Sequence, residues 1–273
     1  ELPDHRQHVT TKPLDRHVST RSFCLARQLQ LNADAQDGIA RAEVGAAVPR
    51  TLLGQLGEVG LAHQVAGDPH EVVAVEVERH VALGRTYVHP FDDPHVIAGQ
   101  GTLGVEIYKA LPSTTVLLAP VGGAGLLAGM SAYMRTKNPS MHFVGAEPLG
   151  AASLTHALAT GQTEVGLPTI DTFVDGAAVA RVGRLGHELL SQLGDNLTVV
   201  KVSNQLVCKT VTELRERYGI PVEVAAPLGL AAARQIKPIL RDQHVVIPLT
   251  GRNLGQDRYE SEVRTLAGRN GIM

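Results

Sequence analysis

The chain has 273 residues, enough for one large or two medium domains that each bury a core. Hydrophobic residues at 44%, charged residues at 19% and a formal net charge of −2 describe an ordinary globular chain with no electrostatic case for nucleic acid or an anionic membrane. No apolar run reaches the roughly 20 residues that span a bilayer, no signal-peptide pattern opens the chain, and Cys24 and Cys208 are too few for a disulfide framework, so a cytoplasmic protein is expected.

The chain divides into two compositional zones that meet near Arg85. In the first, Leu52 to Leu61 reads as a weak helix broken by Gly54 and Gly57, and Glu71 to Val77 has strand-like content. Phe23 is the only aromatic before Tyr87, and no lysine occurs between Lys12 and Lys109. In the second zone strands and helices alternate. Thr115 to Pro120 is a continuous apolar run, as expected of a strand buried on both faces. Gly122 to Gly125 interrupts it, and Leu126 to Arg135 has helix-forming residues. His142 to Glu147 predicts a second strand, Ala151 to Thr160 a helix ending at Gly161, and Gly183 to Gly194 another helix. Leu197 to Val202 predicts a third strand. Ser203 is a natural N-cap for a helix that runs to Tyr218 and closes at Gly219. Leu228 to Leu240 reads as a helix and His244 to Leu249 as a fourth strand. The order implies an α/β fold, a parallel sheet with helices on both faces.

The turn Val121-Gly-Gly-Ala-Gly-Leu126 lies between a buried strand and a helix start. Glycines there let backbone N–H groups converge on an anion, and the helix N-terminus adds partial positive charge. The plainer alternative is a tight turn with no ligand. No Lys-Ser/Thr pair follows, which disfavours a nucleoside-triphosphate loop.

The flanking segments add to this. Tyr87-Val-His-Pro-Phe-Asp-Asp-Pro-His-Val-Ile-Ala-Gly-Gln-Gly-Thr-Leu-Gly-Val-Glu-Ile107 resembles the stretch before the glycine loop in threonine ammonia-lyases (threonine dehydratases) and serine racemases, fold-type II pyridoxal-phosphate enzymes of the tryptophan synthase β-like kind. The resemblance continues, in family order, through Val144-Gly-Ala-Glu-Pro148, Asp171-Thr-Phe-Val-Asp-Gly-Ala-Ala-Val179, Leu228-Gly-Leu-Ala-Ala232, Leu249-Thr-Gly-Arg-Asn253 and Asp257-Arg-Tyr259. It covers about residues 86–259 and is most like the biosynthetic threonine enzyme of isoleucine biosynthesis. It implies two α/β domains with pyridoxal 5′-phosphate between them: an anomalous zone, 1–85, in place of the small domain, and a large cofactor-binding domain, 86–273. It also implies an amino-acid substrate and a homo-oligomer, dimer or tetramer. With the chain ending at Met273, no C-terminal allosteric domain is expected.

Carried over residue by residue, Gly122, Gly123, Ala124, Gly125 and Leu126 would bind the cofactor phosphate, and Thr250 would hydrogen-bond the pyridine nitrogen. The family usually has glycine at 124, and a methyl there is expected to require negative φ. Arg252 replaces a family glycine, and Glu223 lies in Glu-Val-Ala-Ala-Pro227 where the family has Glu-Pro-Ala-Gly-Ala. Glu147, with the carbonyl of Ala151 and with Ser153 in place of the usual acid, matches a divalent-cation position of some members. One carboxylate makes a poor hard-cation site, so a surface or structural carboxylate is expected and no metal. His89, Asp92 and Asp93 read as a Pro-flanked turn, and Cys208 as a core residue.

The family's chemistry also needs a lysine that bonds the cofactor aldehyde and later moves the α-proton. It normally follows Ser-Phe, but this chain reads Thr20-Arg-Ser-Phe-Cys24, and a thiol cannot replace the amine. The family's Ser-x-Gly-Asn-His motif has no counterpart between Leu25 and Arg85. Two explanations stand: a replaced stretch from about Cys24 to Arg85, such as one translated in another frame, or divergence to a protein without the chemistry. The expectation is a threonine ammonia-lyase by descent with little or no turnover. The alternatives are a non-catalytic phosphate- or cofactor-binding protein, and a serine racemase or serine ammonia-lyase of the same fold.

Overall fold

The computed structural model describes Ala82 and residues 88–268. Cys24, the Leu52–Leu61 and Glu71–Val77 expectations, and the first zone apart from Ala82 lie outside the described residues.

β1 (Val116–Pro120) is buried at every position, as its uninterrupted apolar sequence requires. It pairs in parallel with β2 (His142–Pro148) on one side and with β4 (Val245–Val246) on the other, and β3 (Leu197–Val202) adds beyond β2. The sheet order is therefore β3-β2-β1-β4. Successive side chains of a strand point to opposite faces, and the core divides accordingly. Leu117, Ala119 and Phe143 pack with α1 (Pro94–Ala110), α2 (Gly125–Lys137), α3 (Ser153–Thr160) and α4 (Arg184–Ser191). Val116, Leu118, Val144 and Ala146 pack with α5 (Asn204–Tyr218) and α6 (Leu228–Gln235). The same face receives Tyr259 and Val263 from a π-helical turn (Tyr259–Val263) that joins α7 (Gln256–Arg258) to α8 (Arg264–Gly268). No helix among the described residues is long and apolar enough to cross a membrane.

Local chemistry set several boundaries as expected. The Ser203 hydroxyl accepts the N–H of Leu206 at 3.3 Å and starts α5, and Gly219 ends it in the left-handed region at φ 64°. Gly161 closes α3 in the same way at φ 69°. Other elements are shorter than expected. Pro238 lacks the N–H a helix interior needs, so α6 stops at Gln235 and a 3₁₀ turn (Lys237–Leu240) follows. Pro248 likewise cannot donate to a ladder, and the run from His244 pairs only over Val245–Val246. The helix expected from Gly183 to Gly194 spans Arg184–Ser191. The segment expected to start a helix at Ala151 opens as a 3₁₀ turn (Leu149–Ala151) before α3.

The sequence reading did not include α1. Its three glycines and modest amphipathy weaken the helical signal, but Asp93 as N-cap and Pro94 in the first turn announce its start. Its glycines serve close packing: α1 and α2 cross backbone to backbone, where a Cβ on Gly129 would lie 2.2 Å from the Ile97 carbonyl oxygen.

Candidate active site

The glycine turn leaves β1 at the carboxyl edge of the sheet, where ligands of open parallel sheets bind. The N–H of Val121 still bonds across to the Ala146 carbonyl at 2.8 Å, so the turn begins on a fixed base. Ala124 is the N-cap of α2 at φ 73° and ψ −9°. The expectation that its methyl requires negative φ is thus corrected. The residue is buried and its methyl packs against α4, where a Cβ on Gly186 would come within 3.0 Å of it. A left-handed alanine carries a strain of about 1 kcal/mol relative to glycine. Ala124→Gly is therefore expected to raise stability by about 1 kcal/mol, less whatever the lost methyl contact returns. A denaturant midpoint that falls in the glycine variant would show that the contact outweighs the strain.

Three of the helices that start at this edge, α1, α2 and α4, meet around the loop, and their ends are satisfied differently. Asp93 accepts the N–H groups of His95 at 2.8 Å and Val96 at 3.2 Å at the head of α1. The Val96 N–H, foremost, holds the Asp93 carboxyl below its ordinary pKa. Asp92 reaches across to accept the N–H of Leu185 in the first turn of α4 at 2.8 Å. The N-cap of α2 makes no side-chain hydrogen bond. Its first-turn N–H groups therefore suit an anion, adding their dipole to the glycine turn. His89 joins the same bracket, its Nδ1 accepting the N–H of Asp92 at 2.9 Å. The turn reading of His89, Asp92 and Asp93 thus has a definite content: two of them cap helices and the third ties the turn.

Thr250 leaves the sheet on the neighbouring strand. β4 pairs Val245 with Val116 and Val246 with Leu117, so the chain beyond Pro248 runs out beside the end of β1. Thr250 is half-buried, and Gly251 follows it at φ 83°. A series of close approaches connects this turn to the glycine loop. A Cβ on Gly122 would lie 3.0 Å from the Ala177 Cα. A Cβ on Gly176 would lie 2.9 Å from the Ala225 Cβ and 3.4 Å from Glu223 Oε1. A Cβ on Gly251 would fall 2.1 Å from the Glu223 Cδ. The Glu223 N–H also donates to the Gly251 carbonyl at 3.2 Å. Burial, followed by the nearby Asp175 carboxylate, raises the Glu223 pKa against the opposing N–H of Asn253. Arg258 holds the Asp175–Ala177 turn from the other side, at 2.7 Å from Asp175 Oδ2 and from the Phe173 carbonyl. Ala177, Glu223 and Arg258 thus border the glycine turn; the sequence places Ala177 and Arg258 within motifs of the resemblance without showing this contact.

Arg252, at the substituted glycine, points its Nε to the Pro221 carbonyl at 3.4 Å. Glu147 is fully buried rather than at the surface. Its Oε1 accepts the Leu154 N–H at 2.5 Å, and its Oε2 accepts the N–H and hydroxyl of Thr155 at 3.0 and 2.7 Å. It is thus a structural carboxylate that caps α3, with both oxygens committed. Cys208 is also fully buried, and burial pushes its thiol up to about 12, which keeps it protonated and inert.

The fit of these residues to a phosphorylated pyridine cofactor can be judged part by part. The loop offers a phosphate backbone donors at a helix start, and Thr250 offers the ring a hydroxyl. Neither Lys137 nor Lys109, on the helices that flank the loop, completes the set by its placement. Lys137 ends α2 about 18 Å from its first residue, with its ammonium over the rings of Tyr133 and Tyr108 at 5.4 and 5.9 Å. Lys109 ends α1, also away from the loop.

Comparison with known proteins agrees with this architecture. The family model of pyridoxal-phosphate dependent enzymes matches residues 50–251, reaching upstream of the sequence motifs. The biosynthetic L-threonine dehydratase of Mycobacterium leprae is 42% identical over 187 residues, covering 67% of this chain and 42% of its own length. The chain spans less than half the length of the curated relatives it matches. Threonine deaminase isoform 2 of Solanum lycopersicum, in its processed form, superposes with a TM-score of 0.64 at 33% identity, covering 71% of this chain and 56% of that one. Serine racemase of Dictyostelium discoideum superposes at 0.58 with 28% identity, covering 68% and 58%.

Proposed function

The chain belongs to the pyridoxal-phosphate dependent enzyme family, and from that premise we propose that it is a threonine ammonia-lyase by descent that keeps the cofactor's anchoring site but not its covalent chemistry. Gly122, Gly123, Ala124, Gly125 and Leu126 hold the cofactor phosphate on the N-terminus of α2, and Thr250 meets the pyridine nitrogen. The observation that carries this reading is the start of α2 at the carboxyl edge, which no side chain among the described residues caps, beside two helix starts that aspartates already cap. In members that bond it to a lysine, the cofactor would supply electron withdrawal at the substrate α-carbon, so that the α-proton and β-hydroxyl of threonine could leave as water and hydrolysis of the resulting enamine would give 2-oxobutanoate and ammonia. Here Cys24 stands at the lysine position, so no proton transfer is assigned to this chain.

The large domain is taken as residues 86–273, and the setting as a cytoplasmic homo-oligomer acting on amino acids. Threonine is favoured over serine by the names of the more similar relatives. The test is a thermal melt of the full chain with inorganic phosphate and with pyridoxal 5′-phosphate, together with deamination assays on threonine and serine. Both phosphates are expected to raise Tm by mass action on the folded state, with no deamination above background. Stabilisation by neither would overturn the site, and turnover of either amino acid would overturn the loss of chemistry.

A further inference from the structure

We propose that Phe91 is the positioning residue of the glycine loop, and that its ring and main chain, rather than a bound anion, dictate glycine at 123 and 125. This inference rests on the reading of the loop as a phosphate site. Glycines in such a loop are ordinarily explained by close approach of the ligand. Here the Cβ directions of two of them are occupied by protein. A Cβ on Gly123 would fall 2.1 Å from Phe91 Cγ and 2.3–2.4 Å from its Cδ atoms, inside the ring. A Cβ on Gly125 would fall 2.9 Å from the Phe91 carbonyl oxygen and 3.2 Å from its Cβ.

Phe91 in turn has little room to yield. The His89 ring meets it edge-on with centroids 4.6 Å apart, and His89 Nδ1 accepts the Phe91 N–H at 3.3 Å. On its other side, Asp92 is fastened to the start of α4 and Asp93 to the start of α1. Helix α4 closes the far side of the loop, donating the Gly183 N–H to the Gly123 carbonyl at 3.1 Å. The loop is therefore held between Phe91 and α4, and Phe91 fixes where its N–H groups point. That is the support an anion site needs, because donors must be held to within about half an ångström to be effective.

The experiment uses the full chain and inorganic phosphate as the probe, with Phe91→Leu, Phe91→Ala, Gly123→Ala and the double variant Phe91→Ala/Gly123→Ala. Phosphate affinity is read from the dependence of Tm on phosphate concentration, and intrinsic stability from denaturant midpoints without phosphate. Phe91→Ala is expected to weaken phosphate binding on the order of tenfold, the scale seen when a residue supporting a ligand contact is removed. Phe91→Leu, which still fills the space, is expected to retain most of the affinity. Gly123→Ala is expected to lose measurable binding, and the double variant to recover part of it, since removing the ring frees the space the new methyl needs.

A purely structural role would lower stability in Phe91→Ala but leave phosphate affinity unchanged, and that result would overturn the proposal. So would a double variant that binds phosphate no better than Gly123→Ala alone. Should Phe91→Ala fail to fold, Phe91→Leu against Gly123→Ala carries the same comparison. If the unaltered chain shows no phosphate dependence, the phosphate site itself is wrong and the positioning claim falls with it. That outcome is distinct from a chain that binds phosphate without regard to Phe91.

Discussion

Gly129→Ala is expected to destabilise the protein by about 3 kcal/mol, the upper end of the overpacking range. The added methyl would meet Ile97 O at 2.2 Å, Gly101 N at 2.7 Å and Gln100 C at 3.1 Å, all of them backbone atoms of α1. The contact is reciprocal: a Cβ on Gly101 would lie 2.9 Å from the Gly129 carbonyl oxygen, and one on Gly104 3.1 Å from that of Met130. No rotamer change relieves these clashes, so the helices must move apart. Their separation also disturbs the site, because α2 begins at the glycine loop and α1 at the Phe91 bracket. Gly99→Ala on the same helix is the control. It is exposed, with nothing within 4 Å of the added methyl, and is expected to gain up to about 1 kcal/mol from helix propensity. Urea midpoints that move in opposite directions for the two variants support the crossing, and equal midpoints contradict it.

Removing the Glu147 carboxylate is the second large perturbation. Glu147→Ala strands the Leu154 N–H and the Thr155 N–H and hydroxyl in the interior. Unmatched buried donors cost about 1 kcal/mol or more each, so a loss near 3 kcal/mol is expected. Glu147→Gln keeps one carbonyl acceptor and should lose roughly half as much. The pH dependence separates the charge from the hydrogen bonds. Burial raises the folded-state pKa of Glu147 above the ordinary carboxylate value, against the opposing donors of Thr155 and Leu154. In the window between the unfolded and folded values the folded state binds more protons, so stability falls as pH rises through it. The contribution is fully present below the ordinary carboxylate range and lost above the raised value. Denaturant midpoints across the acid range should show this fall in the unaltered protein and a flatter profile in Glu147→Gln. The opposite slope would mean that the three donors outweigh burial.

The parts of the fold that sequence made legible are those written in local chemistry. Leu197 to Val202, Ser203 and Gly219 each carry a signal that works over a few residues, and the boundaries of β3 and α5 follow from them. Helix α1 escaped because Gly99, Gly101 and Gly104 lower helical propensity, and their reason lies in α2, about 30 residues on. The glycine loop was legible for a related reason: strand, glycines and helix are contiguous in the chain. What surrounds it was not. Phe91 stands within a motif, but nothing local shows that its ring covers Gly123. Similarly, Ala124 reveals its left-handed backbone only when the turn is built. The turn that carries Thr250 lies near the glycine loop through the sheet order β3-β2-β1-β4, which places the last strand beside the first. The committed state of Glu147 was hidden because its partners, Leu154 and Thr155, lie in the first turn of α3, and nothing local shows that a 3₁₀ turn folds that helix start back onto the end of β2.

The central claim is that this chain anchors pyridoxal 5′-phosphate without bonding it. Its most direct test is borohydride reduction of the full chain in the presence of the cofactor, followed by intact mass and peptide mapping. Cofactor-dependent stabilisation with no stoichiometric pyridoxyl adduct on any lysine is the result expected from Cys24 at the lysine position. A single lysine carrying one pyridoxyl group per chain would contradict it.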